Sequence, residues 1–472
     1  MKKLIPFIIL YLVGTNSDAQ ELSPDVSRFV DVPQGIVALT NATVIDGTGS
    51  GTLHNMTIII RDSLIEEIIP SFDAVIPENS ELIDCTGKTV IPGLVMLHEH
   101  LFYSMPFENH FTVSQMSFTF PRLYLAGGVT TMRTAASIET QTDLNLKRWI
   151  DEGKITGPKI DVTGPFIDRP GMEIPELTFI NSSEQAGGIV DFWADMGVSS
   201  FKVYMGVTRE DLKEILKRAH KWNCKVTGHL CAVTYREAAD LGIDNLEHGF
   251  MTSTDFIKDK VADKCNSRGI RPSLMALDAD DPEMEDLINH LIAKEVALTS
   301  TLNVYEPYTG REVVPGGGIE ALASQVRERV LTRYTRSINN DSASLNLFKK
   351  EMYWEKKFYD AGGLLIAGTD PTGSGRVVAG YANQHTLELF VEAGFTVAEA
   401  VGITTLNGAT YLGINKETGS LEKGKFADLV IINGDLEKDI SNIRNMELVF
   451  KEGVGFNSKQ LFESVEGKVG LN

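Results

Sequence analysis

Cysteine is scarce in this chain, with four residues in 472, and none precedes Cys85. A lipid-modified cysteine at a processed N-terminus is therefore excluded. Basic charge is in deficit: 44 Lys and Arg against 64 Asp and Glu leave a formal charge of −20. Such a surface repels phosphate backbones, which argues against nucleic acid as a partner. Long apolar runs are missing apart from a short one near the start, too short for a relaxed membrane span. With 43% apolar and 23% charged residues, composition is that of a globular protein rather than a disordered or multi-span membrane chain. The 42 glycines show no collagen-like period. The length suits one large unit plus a smaller one as well as three equal ones.

The N-terminus reads as a secretory signal over residues 1–19. Lys2 and Lys3 supply the positive start, 4–13 the apolar core, and Ser17-Asp18-Ala19 the small-residue junction before Gln20. This predicts a periplasmic or secreted product with no membrane attachment after cleavage. An even cysteine count in such a compartment permits disulfides without requiring them. Cys224 and Cys231 flank a predicted strand, about 23 Å apart along extended chain, too far to pair with each other. A buried free thiol is expected for most of the four.

Residues 36–90 contain β-branched stretches (36–45, 56–61, 64–69) separated by turn pairs such as Asp46-Gly47 and Thr86-Gly87. From 91 the rhythm changes. Eight short apolar runs (93–98, 129–133, 159–163, 199–204, 225–229, 245–248, 296–302 and 364–370) alternate with helical patterns such as 209–222 and 283–294. This alternation predicts parallel strands with right-handed crossovers, and eight units predict an α/β fold of the (β/α)8 TIM-barrel kind over 91–410. An open doubly wound sheet would normally carry a Gly-rich turn after its first strand; here that strand ends in His98-Glu99-His100. Strand character returns after 410, at 428–433 and 446–450. A small β-sandwich domain assembled from 20–90 and 411–472 accounts for strand-rich segments at both ends. The stretch 303–360 exceeds one barrel helix and reads either as a lid near the mouth or as a long surface helix pair.

Four of the nine histidines fall at the C-terminal ends of predicted barrel strands: His98, His100, His229 and His248. That rim is where barrel active sites lie. Spacing by two puts His98 and His100 on one side of an extended strand, a chelate suited to zinc or a similar ion, with Glu99 turned away. Asp370 ends the eighth run, where a carboxylate can ligate an ion and accept a proton from water. Lys202 lies inside the apolar fourth run, costly unless paired or modified. Among possible substrate contacts, Arg133 ends the second run and can neutralise either a substrate carboxylate or a rim acid. Tyr204 shares the Lys202 face of its strand. His54, His110, His220 and His290 lie off this constellation.

The ordered set His98-x-His100, Lys202, His229, His248 and Asp370 resembles the amidohydrolase superfamily, most closely its imidazolonepropionase-related and Xaa-Pro dipeptidase-like branch. Further marks are Asn41-Ala42-Thr43-Val44-Ile45-Asp46-Gly47, Val90-Ile91-Pro92-Gly93-Leu94, Thr405-Leu406-Asn407-Gly408-Ala409 and Ala427-Asp428-Leu429-Val430. The resemblance implies two divalent ions, by default zinc, bridged by a CO2-derived carbamate on Lys202. His98, His100 and Asp370 would hold the more buried ion, His229 and His248 the more exposed one. A bridging hydroxide would attack the carbonyl, with Asp370 passing the proton to the leaving nitrogen. His385 resembles a histidine that follows the last barrel strand in this branch, there to support the site or to contact substrate. His98-Glu99-His100-Leu101 is also similar to the first motif of phosphotriesterase-like lactonases, which generally lack the flanking β unit. The expected activity is hydrolysis of an amide in a dipeptide or N-acyl amino acid. The alternatives are a cyclic amide or lactone, or a non-catalytic binding protein on a retained barrel. Homo-oligomerisation stays open.

Overall fold

The computed structural model describes residues 22–107, 110–171, 177–314, 316–337 and 342–470; the expected signal segment lies outside them. Nine strands from both ends of the chain form one hydrogen-bonded sheet. The strands Ile36–Ile45, Thr52–Arg61 and Leu64–Pro70 make an antiparallel meander. The seam between the two ends is the antiparallel pairing of Lys88–Pro92 with Leu429–Asn433, in register from Leu429 opposite Pro92 to Asn433 opposite Lys88. Alternation turns Val37, Leu39, Ile58, Ile60, Leu429 and Ile431 into an apolar cluster belonging to this sheet alone. The two halves expected as a sandwich are thus continuous through a single sheet.

Past Gly93 the chain enters a second body. All eight predicted runs are strands, and all pair in parallel. Leu94–Glu99, Val129–Thr134 and Lys159–Asp161 form one sheet. Thr163–Asp168, Ser200–Val203, Lys225–Gly228, Asn245–Glu247, Ala297–Ser300 and Leu365–Ala367 follow one another in the second, which carries Thr178–Phe179 at its edge. The third run was expected to be unbroken over 159–163. It divides at Val162, where its neighbour changes: Thr163 N donates to Thr134 Oγ1, and Val162 O accepts from Ser199 N.

The eighth run returns to the first. Thr369 N and Asp370 N both donate to His98 O, at 3.2 and 3.0 Å. Gly368 permits that approach, since a Cβ there would lie 2.2 Å from His98 Cβ and 2.5 Å from His98 N. Helices cover the outside. In Arg209–Lys221, a Thr208–Asp211 capping box starts the helix, and Leu212, Ile215, Leu216 and Ala219 recur at helical spacing on the buried face.

The stretch 303–360 is neither a simple lid nor a surface helix pair. Ser342–Asp360 buries Leu347, Phe348, Met352, Trp354 and Phe358 in the large apolar core of this body. Its Glu351 accepts from Phe250 N at 2.7 Å, and its Glu355 accepts from Ser300 Oγ at 2.7 Å. Among the described residues of the stretch, those that reach the mouth are at its start, Val304, Tyr305 and Tyr308. A hairpin of Phe102–Phe107 with His110–Gln115, directly after the first strand, was not anticipated.

The cysteines divide evenly, against the expectation of mostly free thiols. Cys231 is bonded to Cys265, 34 residues away, while Cys85 and Cys224 are free and buried. The bond forms because the loop after Asn245–Glu247 folds back over the end of Lys225–Gly228, a tertiary approach invisible in residue spacing. By chain entropy a loop of this length is worth about 3–4 kcal/mol. Cys265→Ser should lower the unfolding free energy by about 2–4 kcal/mol, and reductant should bring the parent to the same thermal midpoint. An unchanged midpoint in both experiments would contradict this.

Candidate metal centre

All six expected ligands meet at one end of the parallel strands. His98 and His100 flank Glu99, with ring centroids 5.6 Å apart. His98 is fully buried. Its Nδ1 lies 2.6 Å from Glu247 Oε2, and its Nε2 lies 3.2 Å from Lys202 Nζ and 3.8 Å from Asp370 Oδ1. A proton shared with Glu247 on Nδ1 leaves the Nε2 lone pair facing the cluster. His100 Nε2 sits 3.0 Å from Asp370 Oδ1. The backbone of His100 is clamped by Tyr124, whose hydroxyl accepts from His100 N at 3.0 Å and donates to His100 O at 2.7 Å. His248 Nδ1 lies 2.9 Å from Thr301 Oγ1, and its ring is 4.5 Å from those of both His98 and His229.

Two ligands hold backbone conformations that side-chain-bearing residues rarely adopt: φ is +69° at His248 and +50° at Asp370. Each turns a side chain from the strand end into the mouth, a strain of about 1–3 kcal/mol that surrounding contacts must hold.

The electrostatics favour neutral imidazoles. Burial, reinforced by the Lys202 ammonium, pushes His98 down to about 4 and His229 to about 3. Burial likewise lowers His100 and His248. Burial opposes the charge of Asp370, yet its hydrogen bond to His100 and the nearby His98 and His248 hold it well below the usual carboxylate range. Burial lowers Lys202 against the pull of Glu247 and Asp370. Neutral imidazoles beside an ionised carboxylate are the ligating forms. Donor atoms of His98, His100 and Asp370 lie within 4.8 Å of one another. His100 Nδ1 is buried without a partner. This donor set fits zinc or a similar divalent ion. His229, His248 and Lys202 stand beside it, facing a cavity of about 350 Å³.

Of the three proposed substrate contacts, only Tyr204 lines that cavity, its ring 4.7 Å from His229. Arg133 does not reach substrate. Its guanidinium is fully buried, donating to Leu97 O at 2.8 Å, Asn245 Oδ1 at 3.1 Å and Glu247 Oε1 at 2.8 Å. An arginine on an inward strand position pairs with the nearest buried acid instead of projecting to the rim. His385 is also withdrawn, gripped between Glu306 at 2.7 Å and Glu388 at 2.5 Å. Glu99 is no ligand, as expected: it accepts from Thr369 N, Thr369 Oγ1 and Asn383 Nδ2. His220 and His290 pair with Asp244 and Asp240, away from the cavity.

Sequence reasoning missed Glu247, Thr301 and Tyr124. Glu247 did leave a signal, an acid inside an apolar run, the same anomaly that singled out Lys202. Nothing local marked Thr301 or Tyr124.

Glu247→Gln should weaken divalent-ion binding by about 10- to 100-fold, read by metal titration, because His98 loses its orienting carboxylate. His385 supplies a separate test. Burial works against its charge, but Glu306 and Glu388 raise it to about 9. A histidine raised in the folded state stabilises fully below its unfolded value of about 6.5, and the contribution fades as pH rises through about 9. The thermal-midpoint gap between parent and His385→Gln should therefore shrink from pH 6 to pH 9.5; a constant gap would refute it.

Residues 89–455 match the family model described as Amidohydrolase family. An imidazolonepropionase of Geobacillus sp. (strain WCH70) is 23% identical over 426 residues, spanning 85% of this chain and 87% of that protein. A crystal structure from Bifidobacterium longum, provisionally described as a prolidase, aligns with a TM-score of 0.66 at 26% identity, over 92% of this chain and 100% of that one. A crystallised Xaa-Pro dipeptidase with bound methionine aligns with a TM-score of 0.65 at 18% identity, over 90% of this chain and 100% of that one. The family match takes in every expected ligand from His98 to Asp370 and the strands on either side of the seam. The chain belongs to the amidohydrolase family and is a hydrolase of carbon–nitrogen amide bonds.

Proposed function

We propose that this protein is a secreted two-metal hydrolase cleaving an amide of the peptide or N-acyl amino acid type, built on a closed (β/α)8 barrel over 91–410. The smaller unit combines 20–90 with 411–472. The observation that carries the reading is the convergence of His100, Lys202, His229, His248 and Asp370 on one cavity floor, with the buried His98 behind them, its Nε2 3.2 Å from Lys202 Nζ. When bound, two divalent ions, zinc by default, would polarise the substrate carbonyl and lower the pKa of water. Lys202 suits carboxylation by CO2: its side chain is buried, and its Nζ lies 3.2 Å from His98 Nε2, a neutral ring. A carbamate would replace a poorly compensated ammonium by an anion with two donor oxygens. Asp370, ionised and 3.0 Å from His100 Nε2, is placed to take a proton from the attacking water and return it to the leaving nitrogen. Tyr204 orients the bound substrate from the cavity wall. The Cys231–Cys265 bond suits an oxidising compartment and supports the periplasmic or secreted reading. The enclosed cavity would also accommodate a cyclic amide, the second reading.

Metal analysis should find close to two ions per chain after reconstitution. Asp370→Asn should cut kcat by about 10²–10⁴-fold while metal stays bound. Full turnover in that variant, or a chain that takes up no metal, would overturn the proposal.

A further inference from the structure

The cavity walls have a chemistry of their own. Above the ligands, Phe102, Val113, Ile138, Phe166 and Leu177 form one apolar face. The rings of Phe102 and Phe166 lie 6.3 Å apart, and Phe166 packs edge-on against Tyr204 at 5.6 Å. Val304 and the Tyr305 ring continue the apolar lining, and the lining residues with neutral hydroxyls are Ser104, Thr372, Ser374, Tyr204, Tyr305 and Tyr308.

Among the described lining residues, positive charge is confined to the floor. Among the described residues, Lys202 is the one lysine or arginine lining the cavity, and it belongs to the ligand cluster. The guanidinium groups best placed by sequence to serve substrate are committed elsewhere. Arg133 is bound to Glu247, Asn245 and Leu97 O. Arg376 follows the rim residue Gly375, but its side chain donates to Pro307 O at 2.5 Å and lies over the Tyr334 ring at 5.4 Å. Away from that floor, a substrate carboxylate set against the apolar face would exchange water for aromatic and aliphatic side chains, with no lysine or arginine among the described residues of that face to pair with it, which is costly. An uncharged aromatic or branched group would bury its surface there at a gain.

We infer that the enzyme selects amides whose portion beyond the scissile bond is uncharged and aromatic or branched aliphatic, and that it discriminates against free α-carboxylates such as unblocked dipeptides. Phe166 and Leu177 are the specificity-determining residues of that face. The inference rests on the amidohydrolase reading and narrows its substrate class to carboxyl-blocked peptides and amides, against the free N-acyl amino acids and dipeptides that reading also admits.

The test uses the full-length, metal-loaded protein with a matched pair, N-benzoyl-phenylalanine and its C-terminal methylamide. Calorimetry on the Asp370→Asn protein gives each affinity, and benzoate release by the parent gives turnover. The methylamide should bind at least about tenfold more tightly than the free acid, and Phe166→Ala should reduce that margin. Val113→Arg adds the absent cation and should move preference toward the free acid; Ile138→Arg serves if the first variant does not fold. Equal or tighter binding of the free acid, or no binding of either compound, overturns the inference whether or not either is hydrolysed. Failure of the metal-loaded parent to hydrolyse any amide would instead overturn the amidohydrolase reading, leaving the affinity comparison to decide selectivity.

Discussion

The mouth of this protein is organised around one buried carboxylate. Glu247 accepts from Arg133 and Thr227 through Oε1 and meets His98 through Oε2. Burial alone would keep it protonated, but His98, Arg133 and Lys202 hold it ionised. Those partners lie on separate strands, so a single charge ties the first, second, fourth, fifth and sixth runs together from within. Removing one partner from such a buried pair typically costs about 3–5 kcal/mol, because the remaining charge is stranded. The orientation of His98, and with it the ligand cluster, depends on this arrangement.

Around that centre the structure divides labour. Strands supply His98, Lys202 and the charge network, while positions just past strand ends supply His100, His229, His248 and Asp370. The strained backbones of His248 and Asp370 stand where the chain turns out of the sheet. Helix Ser342–Asp360 braces the turn after His248 through Glu351 and the end of the seventh run through Glu355. The walls come from irregular pieces: the 102–115 hairpin, the 302–309 turns and the 371–376 loop. The parallel strand ends position these side chains, and the irregular rim segments line the cavity above them.

Much of this was legible in advance. Alternation of strand and helix patterns located all eight parallel runs, and strand-rich segments at both ends located the sheet they share. The six side chains that converge were readable because their residue types are anomalous at strand ends: clustered histidines, an acid and a lysine amid apolar neighbours. What failed was assignment of partners. Arg133 and His385 looked available to substrate and are consumed by Glu247, Glu306 and Glu388. The Cys231–Cys265 bond, the 102–115 hairpin and the seating of 342–360 were likewise out of reach.

By itself, the sequence determined which elements form and which side chains can ligate a metal, since strand and helix periods and ligand chemistry are local properties. Only the tertiary structure decided which buried charges neutralise one another and which walls enclose the substrate. Those outcomes depend on approaches such as His98 to Glu247, 149 residues apart. No local pattern encodes such an approach, and in a medium of low polarity the nearest partner takes the charge.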